Sequence, residues 1–385
     1  MKKILLAGIL VSVILASCKK DPQTQPSGLA FEHFYGTNGD ETGRQVKVLS
    51  NGDIVVCGYG AGPNGGNDIF LLRTDKDGNQ RWMKYYGGSG DETAWSFALA
   101  DDGGFVLGGY TNSSGHGGDD FYIVKTDADG NMQWSKTYGG IYSDQANNII
   151  AVTNGFLVSG VSNSGHDDNA WVLRLNENGD SLWSFNYGGT GAEGAMDACV
   201  NANGTYAIIG YTNTPPAHDY DGFLLLLNDS GQQTGYYIYG TPDYDEPHAI
   251  VPAVNGNGWV ISGHEGMASP LSTHNVFLRA IGNDGTQLWD HVYGGVDHDG
   301  GEAMCVNGNT YGIVARSNSR QNFGQDVYFL ETDSNGNLLN ESWTGTDSDD
   351  AGYGIAAEQG SFVLSGYSRG GSFGGKDIFL ERVSQ

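Results

Sequence analysis

Residues 82–140 read WMKYYGGSGDETAWSFALADDGGFVLGGYTNSSGHGGDDFYIVKTDADGNMQWSKTYGG, opening and closing on the same Trp-x-x-x-Tyr-Gly-Gly phrase. Between the two phrases the chain changes character four times. Asp91-Glu92 starts a run of small residues that ends at Leu99, and Asp102-Gly103-Gly104 turns it into Phe105–Tyr110. A polar loop then leads to Phe121-Tyr122-Ile123-Val124. A run that is apolar on both faces belongs to a sheet covered on both sides. The next residues, Thr126-Asp127-Ala128-Asp129-Gly130-Asn131, include those that accept left-handed backbone, so the chain reverses there into the strand of Trp134. This stretch predicts one unit of four short antiparallel strands.

The unit recurs along the chain. Tyr35, Tyr86, Tyr138, Tyr187, Tyr239 and Tyr293 each precede Gly at spacings of 51, 52, 49, 52 and 54, and Thr344-Gly345 takes the seventh place 51 residues later. The doubly apolar strand returns at 69–72, 170–173, 223–227, 276–278, 327–330 and 378–380. A period near 50 marks a propeller or a solenoid. The ends decide between them. The last unit stops at its third strand, Asp377–Val383, while Phe31–Tyr35 is an outer strand with no unit before it. Each end supplies what the other lacks, so the ring closes without a free edge. The expectation is all-β: a seven-bladed β-propeller of four-stranded blades over residues 30–385, a monomer, with the N-terminal strand completing the last blade.

Composition agrees and excludes one class of partner. Gly and Pro number 62 and 9 among 385 residues, with 38% hydrophobic residues to build cores. A net charge of −26 argues against any surface that neutralises phosphates, and so against nucleic acid. Residues 1–17 pass from Lys2-Lys3 through the apolar run Ile4–Leu15 to small residues, the order of an export signal and too short for a membrane span. Leu15-Ala16-Ser17-Cys18 resembles the lipobox of bacterial lipoproteins, which implies cleavage before Cys18 and acylation of its thiol. Residues 18–29 then form a Pro-containing polar tether from the membrane to the domain. Lys19 after the Cys, and the start Cys-Lys-Lys-Asp-Pro, are similar to outer-membrane lipoproteins of the Bacteroidota, facing the periplasm or the medium. Cys57, Cys199 and Cys305 are odd in number and sit in three different units, so they read as buried hydrophobes, not a disulfide framework.

The phrases Asp-Gly-Gly-Phe-Val-Leu-Gly-Gly-Tyr-Thr (102–111), Thr-Asp-x-x-Gly-Asn and Trp-x-x-x-Tyr-Gly-Gly resemble the bacterial β-propeller repeats of secreted and surface proteins. The Trp strand and its turn are similar to the tryptophan-docking repeat of quinoprotein-type propellers, with the Asp-to-Gly spacing one residue shorter. These resemblances imply architecture far more than activity.

Internal recurrence separates frame from function: a residue found in every unit holds the blade, and one found in a single unit is a candidate site residue. Every inner strand opens on acid (Asp40-Glu41, Asp91-Glu92, Asp144, Glu193, Asp245-Glu246, Asp299, Asp349-Asp350), which predicts carboxylates capping the interblade turns. The Asp-x-Asp/Asn-Gly-Asn turns at 75–79, 127–131 and 333–337 lack the distal Glu of a calcium loop and read as turns. Units four to six carry the residues that do not repeat: His218, Tyr220, Tyr244, His248, His264, His274, Asp297, His298 and Asp299, all assigned to loops on one face. Imidazole, carboxylate and phenol together bind metals, move protons or hold sugars. No cofactor motif is present. Two functions follow: a non-catalytic binding or scaffold lipoprotein for an envelope protein or a glycan, and, as the alternative, a polysaccharide lyase or hydrolase. Basic residues near these loops are few, with Arg316, Arg320 and Arg369 in units six and seven, which weighs against a lyase.

Overall fold

The computed structural model describes residues 29–163, 167–217, 220–266, 273–320, 324–371 and 373–384. The signal segment, Cys18, the tether up to residue 28 and His218 lie outside these residues.

The described residues form 28 strands in seven four-stranded antiparallel sheets. Six blades run in chain order from the inner strand to the outer, their inner strands being Glu41–Val48, Glu92–Leu99, Asp144–Val152, Glu193–Val200, Asp245–Pro252 and Asp299–Asn307. The seventh blade, with inner strand Asp350–Glu358, takes its outer strand from the other end of the chain. Leu29–Tyr35 lies antiparallel against Asp377–Ser384, with Phe34 opposite Phe379 and Tyr35 opposite Ile378. The expected closure is therefore present. A parallel bridge between Asp40 and Lys376 and a 2.9 Å hydrogen bond from the Glu41 N–H to the Lys376 carbonyl lead on into blade one.

The core is distributed between blades. Val55, Cys57 and Leu71 of blade one pack with Phe97, Phe105 and Leu107 of blade two, all fully buried, which explains why the third strands are apolar on both faces. At the perimeter six of the seven outer strands dock on the turn of the next blade; the seventh blade, closed by the two chain ends, has no such turn. A Cβ at Gly130 would stand 2.8 Å from the Trp82 ring, and Gly130 adopts φ +75°. The Tyr86 hydroxyl donates to the Gly130 carbonyl at 2.6 Å, as Tyr35 does to Gly78 at 2.5 Å. Tyr138 on Gly179 and Tyr293 on Gly336 repeat the tie. The recurring Trp, Tyr and turn Gly are thus one interblade joint.

The recurring acids form a second joint. Glu92, Asp144, Glu193 and Asp299 each accept the backbone N–H of the residue four before, at 2.7–2.8 Å, and Glu41, Asp245 and Asp350 do the same at 2.5–3.1 Å. All seven are buried. They cap the interblade turns as the sequence predicts. Most have a second buried acid beside them from the previous blade: Asp68 with Glu92, Asp120 with Asp144, Asp326 with Asp350. Both members reach into the space that a Cβ on the intervening Gly87, Gly139 or Gly345 would fill, so only glycine fits after the outer-strand aromatic or Thr344. Burial pushes the pKa of Asp326 up to about 6, and that of Asp245 likewise.

Candidate functional site

Three residues beyond each capping carboxylate, every inner strand carries one residue with no partner in the ladder. The register skips Arg44, Trp95, Asn147, Met196, His248, Glu302 and Tyr353. An extra residue in one strand of a pair is a β-bulge, and it re-aims its side chain. Here all seven line a cavity of about 410 Å³ on the propeller axis, together with Gln45, Gln145, Asp197, Tyr211 and Glu246. The seven positions are equivalent, and no two carry the same residue.

One wall is cationic and aromatic. The Arg44 guanidinium lies 3.9 Å from the centre of the Trp95 ring and 4.1 Å from that of Tyr353, stacked between them. No carboxylate pairs with Arg44 among the described residues. Arg316 stands nearby, hydrogen-bonded to Glu302 and 6.0 Å from the Tyr353 ring.

Glu246 and His248 of the lining belong to a cluster of imidazole, phenol and carboxylate. The Tyr244 hydroxyl donates to Glu246 Oε2 at 2.5 Å. His264 Nε2 lies 3.6 Å from the same oxygen, and His248 Nε2 lies 3.8 Å from Glu246 Oε1. His248 turns its Nδ1 toward Glu302 Oε2 at 4.0 Å. The His264 ring stacks on Tyr244 at 5.8 Å with 17° between planes. Burial, reinforced by His248 and His274, drives the His264 pKa down to about 2, so the ring is neutral. His274 is lowered as well, by burial and by His298, whose Nδ1 is 3.1 Å from its own. Burial and the Glu246 bond push the Tyr244 phenol above its ordinary range.

These rings make a continuous row across blades four to six. Tyr211 to Tyr220 and Tyr220 to Tyr244 are each 5.5 Å between centroids, His264 to His274 is 5.3 Å, and His274 to His298 is 5.2 Å. Of the residues singled out in sequence, Tyr220, Tyr244, His248, His264, His274 and His298 come together. Asp297 is exposed at the rim. Asp299 belongs to the frame: it is buried and accepts the Gly295 N–H and the Ser319 hydroxyl, each at 2.7 Å. Four placements differ from expectation. His248 and Asp299 lie in the inner strands Asp245–Pro252 and Asp299–Asn307, His264 in the second strand Trp259–Gly266 and His274 at the start of the third strand His274–Ile281, not in loops. At His248 the bulge turns an inner-strand residue toward the axis.

The sequence reading missed Arg44, Trp95, Glu246, Glu302 and Tyr353 as site residues. The signal was available: aligning units on the capping acid and reading the third residue onward yields the whole bulge set. It also counted basic residues by unit, whereas ring closure sets Arg44 of blade one beside Arg316 of blade six.

No family model matches the chain. A curated relative, the regulatory protein FlaEY of Caulobacter vibrioides, is 27% identical over 109 residues, which is 25% of this chain and 11% of FlaEY. The chain thus spans about a tenth of that relative. Among solved structures, the WD40 propeller domain of Doa1 matches with TM-score 0.55 at 10% identity over 91% of this chain and 97% of that one. The polysaccharide lyase Uly1 matches with TM-score 0.55 at 12% identity over 95% and 94%. A protein of unknown function from Dyadobacter fermentans matches with TM-score 0.51 at 13% identity over 93% and 99%. These likenesses show the propeller fold alone.

Proposed function

We propose that this protein is a lipid-anchored module of the outer membrane that binds an acidic glycan over the mouth of the propeller channel. The observation that carries it is Arg44: a guanidinium in an axial cavity, stacked between Trp95 and Tyr353, with no carboxylate beside it among the described residues of a strongly acidic chain. An unpaired, half-buried cation held by aromatic faces suits a planar carboxylate, which guanidinium binds with two parallel hydrogen bonds. The Tyr/His row opposite offers apolar ring faces on which sugar rings stack. Acylation at Cys18 would hold the domain at the membrane, and residues 19–28 would let the channel face turn toward polymer outside.

The alternative is β-elimination on the same glycan, and one observation favours it. Tyr244, His264 and Glu246 form a hydrogen-bonded and stacked set near Arg316. In that reaction a base removes the proton beside the uronate carboxylate, the bond to the leaving sugar oxygen breaks, and an acid protonates that oxygen. The experiment is calorimetric titration with uronate-containing and neutral polysaccharides, read in parallel for ultraviolet absorbance from unsaturated sugar. Acidic polymers should bind and neutral ones should not, with binding weakened by salt and lost in Arg44→Ala. Equal binding of neutral polymers, or full binding by Arg44→Ala, overturns the proposal. New absorbance selects the lyase reading.

A further inference from the structure

Glu246 is a carboxylate of the channel lining with no lysine or arginine in ion-pair contact among the described residues. Glu302 holds Arg316, whereas Glu246, with its side chain 17% exposed, has only His248 and His264 as ion-pair neighbours among the described residues. The ligand atoms of these three side chains all lie within 4.8 Å of one another. Two zinc bonds of about 2.0–2.1 Å meeting at a tetrahedral angle hold their donor atoms roughly 3.4 Å apart. The observed 3.8 Å from Glu246 Oε1 to His248 Nε2 and 3.6 Å from Glu246 Oε2 to His264 Nε2 are close to that spacing, one imidazole at each carboxylate oxygen.

The surroundings fit a metal as well. His248 Nε2 is buried and has no hydrogen-bond partner, so a nitrogen facing Glu246 is left without a proton donor or acceptor. Leaving such a group unsatisfied costs about 1–3 kcal/mol, so its retention calls for a partner. Ligands of bound metals are themselves held by outer hydrogen bonds. The Tyr244 hydroxyl performs that service for Glu246 at 2.5 Å, and Glu302 lies 4.0 Å behind His248 on the side away from Glu246.

We infer that Glu246, His248 and His264 form a binding site for a divalent transition metal of the zinc class, with two imidazoles and one carboxylate as ligands and a further coordination position open to the channel. A neutral or borderline donor set of this kind selects zinc-like ions over calcium or magnesium, which prefer oxygen ligands. The open position faces the cavity that Arg44 shares, so an oxyanion entering there would meet the metal on one side and the guanidinium on the other. The site stands on its own geometry and does not depend on the glycan reading.

The test is calorimetric titration of the full chain, first stripped with a chelator, against Zn2+ alone, with the visible absorption of bound Co2+ as a report of ligand geometry. One equivalent should bind. His248→Gln and His264→Gln should each weaken binding about 100-fold or more, and Tyr244→Phe about 10-fold through loss of the outer hydrogen bond. His274→Ala combined with His298→Ala should leave that equivalent unchanged. If a His variant fails to fold, judged by its melting curve without metal, the isosteric Glu246→Gln decides, and it too should weaken Zn2+ binding and change the Co2+ spectrum. Absence of the single equivalent overturns the inference. So does binding that survives Glu246→Gln, or binding that is lost with His274 and His298 instead. A protein that binds Zn2+ but no polysaccharide keeps the metal site and loses only the glycan reading.

Discussion

Two sets of seven equivalent positions lie three residues apart on the inner strands, and they follow opposite rules. The capping set, Glu41, Glu92, Asp144, Glu193, Asp245, Asp299 and Asp350, is acidic in every blade. The bulge set, Arg44, Trp95, Asn147, Met196, His248, Glu302 and Tyr353, never repeats. A buried backbone N–H must be satisfied wherever the turn recurs, so each blade needs the same carboxylate. The bulge residue has no cross-strand partner and faces the axis, so the blade tolerates anything there. Repetition thus marks what the ring needs to close, and variation marks what the ring was built to present.

That contrast can be broken at several strengths. Removing residues 29–36 takes away the outer strand of the seventh blade and bares the 377–384 edge, so the chain should aggregate or lose its cooperative melting transition. Removing residues 19–27 should leave melting unchanged, and equal melting of both deletions would refute the closure. One step smaller, Glu92→Ala strands the Gly88 N–H and the Thr111 hydroxyl and should cost about 2–3 kcal/mol in denaturant unfolding. Trp95→Ala, three residues on, should cost about 1 kcal/mol or less while weakening glycan binding through loss of the Arg44 stack. If the two variants are equally destabilised, the division between frame and site fails.

Gly130→Ala tests the perimeter joint: φ +75° and the Trp82 ring 2.8 Å from the new methyl should together cost about 1–2 kcal/mol, measured the same way. The last test is the response to pH. Burial raises Asp245 and Asp326 to about 6, and Asp197 and Glu381 to about 7, above their ordinary values near 4. Between about pH 4 and 7 the folded state therefore binds more protons than the unfolded chain, so stability falls as pH rises through that window. Melting should be higher at pH 5 than at pH 8, and a flat or rising profile would show that the buried acids do not titrate this way.

Much of the frame was legible because its causes are local and repeat: the doubly apolar third strand, the Asp-x-x-Gly turn, the docking aromatic and the capping acid each announce themselves seven times or nearly so. The candidate site was legible in part. Tyr244, His264, His274 and His298 stood out because they occur once, and six of the nine residues singled out do gather. Glu246 was hidden by its neighbour Asp245, which carries the repeated cap. Arg44 was hidden by distance, since it lies about 270 residues from Arg316 in the chain, and both stand by the Tyr353 ring only because the ring closes.

By itself the sequence determined the strand order, the number of blades and the strand exchange between the ends, because periodicity and the unpaired halves of one blade leave no other arrangement. The tertiary structure alone decided which side chains face the axis. A bulge is a one-residue slip in register between neighbouring strands, invisible in a pattern of polar and apolar residues, and it turned His248 and Glu302 from surface positions into opposed members of one channel wall.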